Sequence, residues 1–314
     1  MTQFPVPHAL VDDLRQVEQR ILERTHARGA VISAVGPRRW PGGEPIRAAL
    51  VLAAALTGEY RAERVIHAAA AVELIYAATT THGDLVDEAA RRKGVPRAGE
   101  WGQGLPLMVG DYLFALAAGE MALTPDARVI DFYSQAVMQI SEAALAPPPP
   151  LRPLEPALAR HVERLGGAAA LVAAACKAGG ACAAVPPEQI EALGRFGHSL
   201  GLGLALAEEV RALTPGANPA PAEALRAGAV SMPLAYAAHC GDGERLAAAL
   251  DGGDEDALAW AAAEVARHGL APARAEVARL AARARDGLAA LPPGPGRDAL
   301  AAAADYPVQL AAGA

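Results

Sequence analysis

Aromatic side chains are scarce in this 314-residue sequence: four Phe, six Tyr and three Trp make up 4% of a chain that is 53% hydrophobic. A core with so few rings must be assembled from small and aliphatic side chains, which suits closely packed helices and leaves room for a long cavity. Cysteine is scarcer still. Cys176, Cys182 and Cys240 are an odd number without a tight CxxC spacing. That argues against a disulfide framework and a cysteine metal site, and predicts reduced, buried thiols in a cytoplasmic protein. Positive charge is in deficit, with 28 Lys and Arg against 35 Asp and Glu for a net charge of -7. With no basic stripe to draw phosphates, a general nucleic-acid surface is excluded. Apolar runs such as 165–176 stop short of the roughly 20 residues that span a bilayer. The N-terminus carries Asp12 and Asp13 soon after Met1 and lacks the basic-then-apolar pattern of an export signal. The expectation is a soluble chain with no membrane span.

What is present is helical periodicity, interrupted by short Pro- and Gly-rich breaks. Residues 10–28, 62–90, 107–120 and 129–146 read as helices, and 254–310 as two or three more. Breaks fall at 37–43, at the four prolines 147–150 and at 215–221. No long linker divides them, so one helical domain over 1–314 is expected.

The residues that carry chemistry cluster at 79–96. Asp84 and Asp87 stand three apart and project from one helical face, with Arg92 and Lys93 following. Carboxylates for Mg2+ and cations for phosphate are what a diphosphate site requires, and an amphipathic helix with a solvated charged end explains the same spacing. Upstream, Gly42 and Gly43 precede an apolar helix, an arrangement that lets backbone amides approach an anion.

Together with their flanks these motifs resemble the trans-isoprenyl diphosphate synthase family, the enzymes that build polyprenyl diphosphates. His82, Asp84, Asp87, Arg92, Gly94 and Pro96 match its first aspartate-rich motif, while Gly83 and Lys93 replace an aspartate and an arginine. Gly42, Gly43 and Arg47 match a diphosphate-binding motif in which Glu44 takes the place of lysine. Reversing one charge at about 5 Å and an effective dielectric near 20 shifts an interaction by roughly 6 kcal/mol before screening. Tyr76 stands where the family has a histidine that contacts isopentenyl diphosphate, so Arg47 survives among four such positions. Ala78 and Thr79 are small, as in relatives with a tunnel open to longer chains and as at ordinary helix contacts.

The resemblance continues over nearly the whole chain. Residues 107–120 match the Leu-x-Gly-Asp-Tyr-Leu helix, in which Asp111 reads as a buried partner or cap. Gly167 and Ala168 fall where a Lys-Thr pair contacts the allylic diphosphate, and Lys177 reads as a solvated end. Phe196, Gly197, Leu200 and Gly201 lead to Glu208 and Glu209, with Ala212 where the second acidic motif ends in aspartate. Arg211 can pair locally with a glutamate. Ala229 replaces a phosphate-facing lysine, and Ser231 and Pro233 keep the turn into the next helix.

The resemblance implies an all-α bundle of the isoprenoid synthase type around a central cavity. It implies Mg2+ held by Asp84, Asp87, Glu208 and Glu209, which these replacements would weaken or abolish. Arg47, Tyr76, Arg92, Lys93 and Glu44 would stand at the substrate-binding positions, and an allylic prenyl diphosphate is an implied ligand. It also implies a homodimer, or a heterodimer with a catalytic homologue. Two functions stay open: a non-catalytic subunit or prenyl-ligand binder with little elongation activity, and an active Mg2+-dependent prenyltransferase or prenyl-diphosphate lyase or cyclase.

Overall fold

The computed structural model describes residues 3–26, 45–91, 104–147, 150–217, 219–226 and 230–313, and at 26, 83–91 and 104–106 it describes the backbone alone. Every regular element among them is helical. After a single 3-10 turn (His8–Leu10), the helices are α1 (Val11–His26), α2 (Ile46–Ala55), α3 (Ala62–Arg91), α4 (Gly104–Met121), α5 (Arg128–Leu145), α6 (Leu154–Cys182) and α7 (Pro187–Leu213). The C-terminal part contains α8 (Pro221–Arg226), α9 (Met232–Cys240), α10 (Gly243–Leu250), α11 (Glu255–Glu264), α12 (Leu270–Gly287) and α13 (Pro295–Ala312). The expected helices and the breaks at 147–150 and 215–221 fall within a few residues of these limits, and the break expected at 37–43 lies outside the described residues.

Two buried clusters form the interior. The larger joins α1 to α5 with α13 and the adjoining halves of α6 and α7, and the smaller joins the other halves of α6 and α7 to α8 through α12. Since α6 and α7 pass through both, they fix where the site-bearing helices stand. Their own packing follows from small residues. A Cβ on Gly197 would lie 2.8 Å from the Ala173 Cα, and one on Gly201 would lie 2.6 Å from the Ala169 Cα. No side chain is tolerated there without separating the helices. The shortage of rings noted in the sequence is thus matched by backbone-to-backbone approach.

Local signals set the helix starts. Ser231, Asp242 and Asp254 accept the N–H groups of Leu234, Arg245 and Ala257 and so cap α9, α10 and α11. Between α11 and α12 the chain widens into a π-helical turn, Val265–Gly269, where a Cβ on Gly269 would meet the Pro233 carbonyl.

Two expectations need correction. Cys240 is exposed near the end of α9, whereas Cys176 and Cys182 are buried and burial pushes their thiols up to about 12. And α6 is long and apolar enough over an 18-residue stretch to cross a membrane by length and composition, although 78% of that stretch is buried inside the bundle. Its apolar faces serve α2, α3, α5 and α7 on all sides, as in the central helix of a core.

Candidate functional site

Glu73 and Arg47 tie α3 to the start of α2. No residue before α2 caps it, because Pro45 at its N-cap offers no side-chain acceptor. Instead the buried Glu73 carboxylate accepts the N–H of Ala48 at 2.9 Å, and also meets the Arg47 N–H. Desolvation pushes the Glu73 carboxyl above the ordinary range against the opposing Arg47 charge and these backbone donors.

Arg47 leans the other way, placing its guanidinium carbon 3.4 Å from the centroid of the Tyr76 ring. Two residues singled out by the sequence are thus in direct contact. Tyr76 lies one helical turn after Glu73, and the flat ring occupies the face on which a planar cation stacks. The Arg47 Nε is buried without a hydrogen-bond partner among the described residues. The guanidinium is held by a ring face and a buried carboxylate's field, leaving donor capacity for an anion.

The approach to the first acidic motif is also ordered. Thr79 and Thr80 return their hydroxyls to the Tyr76 carbonyl, and Thr81 returns its hydroxyl to that of Ala77. His82 lies across α4, with Nε2 3.2 Å from the Leu107 carbonyl and 3.5 Å from Asp111. A Cβ on Gly110 would stand 2.1 Å from that nitrogen, which is why the Gly-Asp-Tyr helix has no side chain at this position. Asp111 itself is exposed rather than buried, since it faces outward beside the His82 ring edge. Asp84 and Asp87 lie within α3, on backbone that is helical through Arg91. Their side chains, and Glu44, Arg92, Lys93 and Ala229 altogether, lie outside the described residues.

The second motif is placed in full. Both oxygens of Glu209 meet Nε2 of His161, at 2.8 and 2.9 Å, and Oε2 also accepts the Met232 N–H at 3.1 Å. His161 is 1% exposed, so this carboxylate joins α7 to α6 and to the first turn of α9. Glu208 points outward and its Oε2 receives Nε and Nη2 of Arg211 at 2.9 and 2.6 Å. Consecutive helical residues face different ways, which explains the division. Between them the two glutamates leave one oxygen, Glu208 Oε1, uncommitted. Glu209 thus serves the packing of three helices, and among the described residues no three His, Cys, Asp or Glu side chains gather.

Gly167 abuts α5, where an added Cβ would lie 2.8 Å from that of Ala143 and 3.2 Å from the Ile140 Cα. A lysine has no room there. Lys177 is no solvated end, because its ammonium pairs with Glu191 at 2.8 Å and lies 4.6 Å from the Phe132 ring centroid.

One charged centre was not anticipated. Glu120, fully buried at the end of α4, receives Nε of Arg20 at 2.7 Å and Nε of Arg24 at 2.6 Å, and lies 2.8 Å from His67 Nδ1. Burial alone would raise its carboxyl, but the bonds from Arg20, His67 and Arg24 prevail and hold it below the ordinary value. The signal was in the sequence: Arg20 and Arg24 share one face of α1, and Glu120 closes a helix otherwise almost wholly apolar.

Known proteins agree with this architecture. The Polyprenyl synthetase family model matches residues 38–255. Nonaprenyl diphosphate synthase of Mycobacterium tuberculosis is 34% identical over 270 residues, covering 82% of this chain and 80% of its own. Heptaprenyl diphosphate synthase component 2 of Geobacillus stearothermophilus is 31% identical over 254 residues, covering 77% and 76%. A solved decaprenyl diphosphate synthase from Rhodobacter capsulatus superposes with a TM-score of 0.82 at 30% identity over 96% of this chain and 97% of its own. A polyprenyl synthase from Caulobacter crescentus, complexed with calcium and isoprenyl diphosphate, does so at 0.84 and 28% identity over 98% of each. In helix order, in motif positions and in this measured similarity, the chain belongs to the polyprenyl synthetase family.

Proposed function

We propose that this chain is a prenyl-diphosphate-binding member of the family with weak or no chain-elongation activity, acting as the non-catalytic subunit of a dimer. The observation that carries the reading is the engagement of Glu209: the carboxylate in the second metal-binding position is occupied by His161 and the Met232 N–H. Elongation in this family is Mg2+-dependent, and the metal's contribution is positive charge that draws diphosphate off the allylic carbon. Here the chain's own residues favour holding over ionising. Arg47, with an unpartnered Nε, offers an anion contact, while the glycine at 167 and the Glu208–Arg211 pair remove the charges that would strain the ester.

Two relatives carry the name component 2 of a heptaprenyl diphosphate synthase, wording that describes an enzyme of more than one component. That supports pairing with a second chain. The passage of α6 and α7 through both cores supports a single domain, and the scarcity of cysteine in the sequence favours a cytoplasmic location.

The test is incubation with allylic diphosphates, radiolabelled isopentenyl diphosphate and Mg2+, beside binding of the allylic diphosphate alone. Binding with negligible elongation is expected, and turnover comparable to an ordinary synthase overturns the reading. The second reading, an active transferase or lyase, draws on the free Glu208 Oε1 and the retained Arg47. It predicts Mg2+-dependent diphosphate release from farnesyl or geranylgeranyl diphosphate alone.

A further inference from the structure

A groove of about 290 Å3 runs over α6 between α5, α7 and α12, and shares no lining residue with Arg47, Tyr76, Glu208 or Glu209. Its floor is Ala170, Ala173 and Ala174 with Gly194, small residues that leave a trough where larger ones would fill it. Arg195, His198 and Ser199 line one wall from successive positions of α7, and Arg283 reaches in from α12. Residues 195 and 199 are one turn apart and therefore lie on one face.

Ser199 is the informative residue. It is 3% exposed, lines the groove, and its hydroxyl makes no hydrogen bond among the described residues. A hydroxyl in a helix commonly returns to a carbonyl one turn back, as Thr80, Thr81 and Ser141 do here. Arg195 and Arg283 likewise make no ion pair among the described residues. The single carboxylate in the lining, Glu191, is already paired with Lys177. Burial and the Arg283 charge both push the His198 imidazole below its ordinary value. In a chain of net charge -7, the groove gathers two exposed arginines that no carboxylate pairs among the described residues, beside the Ser199 hydroxyl.

We propose that this groove is a binding site for a small phosphate-bearing molecule, with the phosphate on Arg195, Ser199 and Arg283 and a compact apolar body over Ala170, Ala173 and Ala174. Donors converging from two helices suit a tetrahedral oxyanion better than a planar carboxylate, which one fork of arginine satisfies alone. The volume lies at the lower end of small-molecule sites, which limits the ligand to one ring or a short chain beyond its phosphate. Because α6 and α7 also carry His161 and Glu209, occupancy stiffens the helices that form the second acidic motif.

The test is titration of the full chain with phenyl phosphate, followed by calorimetry and by 31P line broadening, with phenol as the uncharged control. Saturable binding with Kd below about 5 mM is expected, falling at least tenfold in Arg195→Gln/Arg283→Gln. Ala173→Leu, which fills the floor, must lower it as well, with circular dichroism and melting used to confirm folding. Arg47→Gln must leave it unchanged. Absence of saturable binding, equal binding by the double variant, or loss in Arg47→Gln instead would each overturn the assignment.

Discussion

Replacing Glu209 by alanine tests the central structural claim. The substitution strips His161, 1% exposed, of its only partner among the described residues and removes the acceptor of the Met232 N–H at the start of α9. Hydrogen bonds to charged groups contribute about 1.5–3 kcal/mol, and a buried group left unsatisfied costs a similar amount, so the loss should be about 2–4 kcal/mol. For a chain of 314 residues, an unfolding entropy near 2.1 cal/mol/K per residue gives about 0.7 kcal/mol/K, hence a fall in Tm of about 3–6 °C. Glu209→Gln, which keeps an acceptor for Met232, should lose less. The measurement is calorimetric melting of the wild type and both variants, without and with Mg2+. A structural clamp predicts the loss under both conditions and no Mg2+-dependent rise that Glu209 alone confers. If the alanine variant melts with the wild type, or if Mg2+ stabilises the wild type and not the variant, Glu209 is a metal ligand and the proposed function fails with it.

Three further outcomes follow from the same geometry. Glu120→Gln removes the charge that Arg20, Arg24 and His67 share, at a cost of about 2 kcal/mol near neutrality after allowing for the partly exposed arginines. Since the folded-state pKa of Glu120 is depressed, that stability is fully present above the unfolded value, near 4.5. It disappears as pH falls through the lower folded value, so wild-type and variant urea midpoints should converge in acid, and a gap widening below pH 4.5 contradicts the assignment. Tyr76→Leu releases Arg47 from its ring, and inorganic pyrophosphate should bind about 2- to 30-fold tighter by calorimetry, the equivalent of a 0.5–2 kcal/mol stack, with weaker binding counting against it. Gly167→Lys restores the family's residue yet should destabilise by about 1–3 kcal/mol in denaturant unfolding, because the new side chain meets Ala143 and Ile140. A stable variant with raised elongation would show that α5 yields.

The family and the course of the helices were legible in the sequence because both depend on local patterning. Period-3.6 apolar spacing, the prolines at 147–150 and the Gly-Asp-Tyr and Phe-Gly-x-x-Leu-Gly runs read directly as helices, breaks and contacts. Lys177 and Asp111 were misread because burial of a charged residue depends on which neighbour reaches it. Nothing local distinguishes a lysine bound by Glu191 and Phe132 from one in water, or marks Asp111 as facing outward.

The sequence by itself determined an all-helical member of the polyprenyl synthetase family whose charged positions had changed, since replacement of a residue is visible without coordinates. Only the tertiary structure decided what became of the survivors: Arg47 lies on Tyr76, Glu209 holds His161 and the start of α9, and Glu120 gathers two arginines from α1. Each partner comes from a different helix. Whether a carboxylate serves a ligand or the fold is set by the donors that packing brings within reach, and sequence spacing carries no record of them.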